Sequence, residues 1–174
     1  MLSRTHAASA AAVAGLALHI FKPSPVVSVF MTAGTIVGSI LPDIDTTSSK
    51  ISRTCLTAQC TSILLEDFAG HRGLMHTPFF IALTGLAGLG VILRNLGSNL
   101  SIILSILIIP FLAGMSIHLL LDAFTPMGIM LLYPFDKKRY SFKRTVKTGS
   151  MMEYRLFAIF FLSALVLFCT FRGR

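Results

Sequence analysis

Five apolar runs, Ala7 to Phe21, Val26 to Leu41, Pro78 to Leu93, Leu100 to Ala123 and Tyr154 to Phe171, divide the chain, and the polar residues gather between them. Uninterrupted runs of this length predict helices rather than strands, and a helix that spans a bilayer needs about 20 mainly apolar residues. The expectation is an all-α fold, a polytopic membrane bundle of about five transmembrane helices forming a single domain over residues 1–174. The first three runs are short for a full span, and their ends extend into polar flanks. Lys22-Pro23-Ser24-Pro25 predicts a tight turn, because proline removes a backbone donor and restricts the residue before it. The first two runs therefore form an antiparallel hairpin. Thr77-Pro78 has the form of an N-cap followed by proline at the first helical position, and Thr125-Pro126-Met127-Gly128 marks a stop after the fourth run.

Composition agrees with that pattern. The chain is 54% hydrophobic and only 13% charged, about half the charged share of a soluble domain, which is about 25%. Its net charge of +8 would suggest a nucleic-acid partner in a soluble protein; here loop charge that sets membrane topology explains it better, and no nucleic acid is expected. Cys55, Cys60 and Cys169 form no useful disulfide framework, since Cys169 lies in an apolar run. Ala8-Ser9-Ala10 precedes the first apolar run instead of following it, the wrong order for a cleaved secretory signal.

Alternating the runs across a membrane puts residues 1–6, 42–77 and 124–153 on one side. Eleven basic residues fall there, counted with the abutting helix ends: Arg4, Lys50, Arg53, Arg72, Lys137, Lys138, Arg139, Lys143, Arg144, Lys147 and Arg155. Lys22, Arg94, Arg172 and Arg174 fall on the other. The positive-inside rule then makes the first side cytoplasmic, with the N-terminus in and the C-terminus out. All seven carboxylates and four of the five histidines share that side, a coincidence that the charge rule does not require. His19 lies near the opposite face and is left out of the set.

His118 and Asp122 are one helical turn apart at the end of the fourth run, so they share a face and can hold one ion or pair with each other. Ionisable groups in a span are costly and point to function. Asp43 and Asp45, in Leu41-Pro42-Asp43-Ile44-Asp45, offer hard oxygen ligands where the second run ends. His71 and His76 flank Arg72 and Gly73 just before the third run; neutral imidazoles suit zinc, manganese or iron, and Arg72 supplies a planar donor for phosphate or carboxylate. His6 is the weakest member alone, but the hairpin brings it toward Asp43 and Asp45. Mixed histidine and carboxylate ligands fit hydrolysis assisted by a divalent ion. The segment from Asp136 to Glu153 is the most basic in the chain, and attraction to anionic phospholipid headgroups accounts for its charge. A sharper reading has Arg144 or Lys147 hold an anionic substrate while Glu153 orients a ligand or acts as a base.

Leu41-Pro42-Asp43-Ile44-Asp45, Gly70-His71-Arg72-Gly73-Leu74-Met75-His76-Thr77 and His118 through Gly128 resemble, in order, motifs of the YdjM-type family of bacterial inner-membrane metal-dependent hydrolases. The similarity runs from Thr5-His6 through Thr148-Gly149-Ser150 and Glu153. Thr46 stands where that family often has His, and Thr77 where Ser is common, which preserves a hydroxyl. The resemblance implies a multi-pass protein of the bacterial inner membrane with the His and Asp positions as ligands. The combined expectation is a hydrolase acting on an ester or phosphoester of a membrane lipid or lipid-linked substrate at the cytoplasmic face. Its metal ligands would be His6, Asp43, Asp45, His71, His76, His118 and Asp122. Asp43, Arg72 and Glu153 would handle protons or developing charge. One or two divalent ions are expected, zinc first and manganese second. The competing class is a non-catalytic metal-binding or transport protein, against which the polar groups gather at one face and none marks the bilayer midplane. A structural role for the His and Asp residues is the third.

Overall fold

The computed structural model describes residues 1–45 and 73–171; His71 and Arg72 lie outside the described residues, as does the side chain of Asp45. Among the described residues there are five α-helices and no strand: α1 Ser3–Phe21, α2 Pro25–Ile40, α3 Pro78–Arg94, α4 Asn99–Ala123 and α5 Met151–Thr170. Each coincides with one of the five apolar runs. By length and composition three stretches can cross a membrane, Pro25–Asp43, Asn99–Ala123 and Met151–Thr170, while α3 is apolar but shorter, at 17 residues. α1 has 19 residues, but its inner face is made of small and hydroxyl side chains.

The helix ends follow local chemistry. Lys22 adopts the left-handed conformation, φ 45°, and its amide donates to the Leu18 carbonyl, closing α1 ahead of Pro23. Thr77 caps α3: its hydroxyl accepts from Phe80 N and donates to the Leu74 carbonyl, so the cap also fixes the short 3-10 turn Leu74–His76. Ser150 caps α5 through Glu153 N.

α1 packs on α2 and α5, α2 packs on α4, and α3 lies against α4. The interior of this bundle is small and polar. Thr5, Ala8, Ser9, Ala10, Ala14, Thr35 and Ser39 are buried, whereas Val29, Leu86, Ile102, Ile109, Phe161 and Val166 are exposed. A water-soluble domain would show the reverse. In a bilayer the hydrophobic drive between helices vanishes, and close packing of small residues replaces it.

The tightest contact is the crossing of α2 and α4. A Cβ on Gly38 would overlap the Phe111 carbonyl oxygen, and one on Gly114 would overlap the Thr35 carbonyl oxygen. Two backbones meet there with no side chain between them. The helices alternate in direction, so the starts of α1, α3 and α5 and the ends of α2 and α4 lie at one end of the bundle. The 3-10 segment Leu41–Asp45, which continues α2, packs there against the Leu74–His76 turn.

Candidate metal centre

Four elements bring histidines and carboxylates to that end. His6 comes from the second turn of α1, Asp43 from the segment after α2, His76 from the turn before α3, and His118 and Asp122 from the last turns of α4. His6, His118 and Asp122 are completely buried; His76 and Asp43 are nearly so. Nε2 of His118 lies 3.1 Å from Nε2 of His76, 3.7 Å from Asp43 Oδ1 and 3.7 Å from Asp122 Oδ2. Nε2 of His76 lies 3.8 Å from Asp43 Oδ1 and 3.7 Å from Asp122 Oδ2. His6 stacks on His118 with ring centroids 3.9 Å apart, and its Nε2 faces Asp122 Oδ1 at 3.4 Å.

The tautomer of His118 follows from the close helix crossing. Its Nδ1 is 2.7 Å from the carbonyl oxygen of Ser39 on α2. That oxygen can only accept, so Nδ1 carries the proton and Nε2 presents its lone pair to the cluster. A backbone carbonyl that fixes the ring and tautomer in this way is the usual outer partner of a metal-binding histidine. The approach is possible because Gly38 and Gly114 let α2 and α4 touch.

The donor set fits a divalent ion. Ligand atoms held ~2.0–2.2 Å from an ion at tetrahedral angles are ~3.3–3.6 Å apart, and the separations here are 3.1–3.8 Å. Two overlapping groups have ligand atoms within 4.8 Å of one another, His6 with His118 and Asp122, and Asp43 with His76 and His118. Buried carboxylates cost several kcal/mol each unless compensated. Asp122 Oδ1 faces the Met1 amino group at 2.6 Å, and Asp43 Oδ2 accepts from the Ser3 hydroxyl at 3.0 Å. Among the described residues Nδ1 of His6 is buried without a hydrogen-bond partner, a polar atom whose burial calls for a ligand. Because His118 has one free nitrogen, it can serve only one of the two groups at a time.

The sequence-predicted residues divide accordingly. The structure brings His6, Asp43, His76, His118 and Asp122 together. It places His6 against Asp122 and His118, and Ser3, one turn earlier on α1, donates to Asp43. The predicted ligands His71 and Asp45 and the predicted charge stabiliser Arg72 fall on the portions outside the described residues.

Glu153 is buried but stands apart from both ligand groups. Its Oε1 accepts from Leu2 N at 2.6 Å and the Thr5 hydroxyl at 3.3 Å, and its Oε2 accepts from Gly149 N at 2.6 Å. It thus joins the start of α5 to the start of α1, next to His6. Ser150-x-x-Glu153 is the sequence form of a capping box, but the Glu153 carboxylate accepts from Gly149 N, one residue before the cap, and reaches on to α1. Gly149, at φ 78°, supplies the left-handed turn that aims its amide at the carboxylate. Glu153→Ala is expected to leave three donors unsatisfied, at about 1–3 kcal/mol each, and to lower the detergent-solubilised unfolding temperature by several degrees. Glu153→Gln that kept wild-type stability while losing turnover would instead assign the carboxylate to proton transfer.

Ser39 and the Gly38–Gly114 pair went unnoticed in the sequence reading. A backbone acceptor leaves no side-chain signature, but Gly34-Thr35-Ile36-Val37-Gly38 is a small-residue repeat that marks close helix packing.

Comparison with known proteins agrees with this architecture. The family model described as YdjM inner membrane protein matches residues 1–174. The chain is 30% identical over 181 residues to YvsG of Bacillus subtilis (strain 168), itself described as uncharacterized; the match covers 100% of this chain and 99% of that protein. No solved structure matches. With apolar helices, an interior of small residues and a family match from end to end, the chain belongs to the YdjM inner membrane protein family.

Proposed function

We propose that this membrane protein is a metal-dependent hydrolase acting on an ester or phosphoester of a lipid or lipid-linked substrate, with its centre at the cytoplasmic face. One observation carries the proposal: five buried His and Asp side chains from four separate elements converge at one end of the bundle. His76, His118 and Asp43 would hold the ion, with Asp122 and His6 as the alternative or supporting donors. Zinc is the first choice and manganese the second, since mixed nitrogen and oxygen donors suit both. When bound, a divalent ion supplies a Lewis acid that acidifies water and polarises the scissile oxygen. The chain's own part is to fix the donors. Ser39 holds the His118 ring, Thr77 holds the His76 turn, and Ser3 leaves one Asp43 oxygen to face the histidines.

The complete burial of His6, His118 and Asp122 favours a second reading, a non-catalytic metal-binding protein, because closed sites serve structure and open ones catalysis. Elemental analysis of detergent-purified protein, with phospholipid turnover on the same preparation, separates the two. The hydrolase reading expects bound zinc or manganese, loss of turnover on chelation and recovery on adding the metal back. Bound metal without turnover of any phospholipid would favour the second reading, and metal-free protein after mild purification would overturn both.

A further inference from the structure

The segment between α4 and α5 carries a feature that the metal centre does not use. Residues 129–140 form an ordered hairpin: Ile129 N donates to the Tyr140 carbonyl at 3.0 Å, and Tyr140 N to the Ile129 carbonyl at 2.8 Å. Gly128, at φ 64°, lets the strand-like pair close, since a Cβ there would overlap the Tyr140 carbonyl oxygen. Phe142 N donates to Ala123 O, Val146 N donates to Phe124 O, and the Phe124 and Phe142 rings stack at 4.3 Å. The base of the hairpin is therefore fastened to the end of α4. Tyr133 meets Phe79 of α3 edge-on at 6.0 Å, which lays the hairpin beside the His76 turn.

Its tip is apolar and uncovered. Leu131 and Leu132 are each half exposed, and Phe135 is 96% exposed, the most open large apolar side chain among the described residues. Phe135 N and Asp136 N both donate to the Leu132 carbonyl, so the turn that projects Phe135 is itself closed. Lys137, Lys138 and Arg139 follow at once, all exposed. Asp136, the acid of this stretch, accepts from Lys138 N and from the Tyr140 hydroxyl. A fixed apolar tip beside a basic run, at the bundle end where the membrane surface lies, matches an anionic leaflet: acyl chains for the ring, headgroups for the cations.

We propose that the hairpin inserts Leu131, Leu132 and Phe135 into the interfacial layer of the leaflet at the site end, and that Lys137, Lys138 and Arg139 gather anionic phospholipid there. The anchoring is independent of any catalytic role of the centre; it would place anionic lipid next to His76 whether the ion serves catalysis or structure.

The test uses full-length protein with Cys55, Cys60 and Cys169 replaced by Ser and Phe135→Cys carrying an environment-sensitive fluorophore. It is placed in nanodiscs of phosphatidylcholine and phosphatidylglycerol, with a nitroxide near the headgroup end of the acyl chain of one lipid or the other. Phe135 has no packing to lose, and metal content of the same sample reports on the centre separately. The label should be quenched, and at equal mole fraction the anionic lipid should quench roughly threefold more than the neutral one, since a basic residue near the surface enriches anionic lipid about fivefold. Lys137→Gln, Lys138→Gln and Arg139→Gln together should bring that ratio close to one. A label that neither lipid quenches and that aqueous iodide reaches would overturn insertion and point to a protein partner or open water. Equal quenching by both lipids, unchanged in the triple variant, would overturn the gathering of anionic lipid.

Discussion

His118→Ala is expected to leave the purified protein without bound metal and without phospholipid turnover. His118 is the residue shared by both ligand groups, so among the described residues neither group of three survives its loss intact. Removing an outer partner of a metal ligand lowers affinity by about 10–100-fold; removing the shared ligand should exceed that, and metal should be lost during size-exclusion chromatography. The variant also takes away the donor to Ser39 O and the face on which His6 stacks. A buried unsatisfied carbonyl costs about 1–3 kcal/mol, so some loss of stability accompanies the loss of metal. Asp43→Asn separates the two effects, because it keeps volume and an acceptor for the Ser3 hydroxyl while removing the charge; the same change at Asp122 would leave the buried Met1 amino group without its counter-charge. Metal lost from Asp43→Asn with near wild-type melting would assign the cluster to ion binding. Full metal content in His118→Ala would exclude the ligand set described above.

Gly114→Ala should be, with Gly38→Ala, among the most damaging single substitutions outside the cluster. The added methyl would overlap the Thr35 carbonyl oxygen and come 2.8 Å from Ser39 N. Both are backbone atoms, so the helices must separate rather than a side chain rotate. Overpacking a tight interior costs about 1–3 kcal/mol, and more where backbone has to move. The same displacement pulls Ser39 O away from His118 Nδ1. The expected outcome is a drop in detergent-solubilised unfolding temperature together with metal loss, although no ligand has been touched. Gly90→Ala is the control: a Cβ there meets nothing within 4 Å, and alanine is the better helix former by about 1 kcal/mol. If Gly114→Ala retained both stability and metal, the crossing of α2 and α4 would not set the geometry of the centre.

The helices were legible because their limits are chemical as well as hydrophobic: Pro25 and Pro78 open α2 and α3, Thr77 caps α3, and the apolar runs do the rest. Five of the seven proposed metal ligands meet in space for a reason the alternation of spans already contained, since it sends all of them to one end. The sequence could not say which partner each would choose. His6 was expected to approach Asp43 and Asp45; its Nε2 faces Asp122 at 3.4 Å, because α1 also contacts α4. Glu153 drew a catalytic reading from its charge and its position, yet its recorded partners are two amides and a hydroxyl. The apolar tip around Phe135 was masked by the lysines beside it, which drew the reading toward charge alone.

The tie between Glu153 and the first turn of α1 joins residues 151 positions apart, Leu2 and Glu153. His6 therefore leaves the ribosome well before Glu153, which completes its neighbourhood. At about 5–20 residues per second, α1 waits roughly 8 to 30 seconds in the bilayer with a buried-type imidazole and uncapped amides exposed to lipid or to the insertion machinery. Until α5 arrives, the bond from the Ser9 hydroxyl to the His6 carbonyl, made within α1 itself, can already be in place, whereas the Leu2 amide lacks its Glu153 acceptor. The order of synthesis thus makes α5 a late latch: a chain interrupted before Glu153 would hold every described ligand and still lack the carboxylate that ties down Leu2 and Thr5 beside His6.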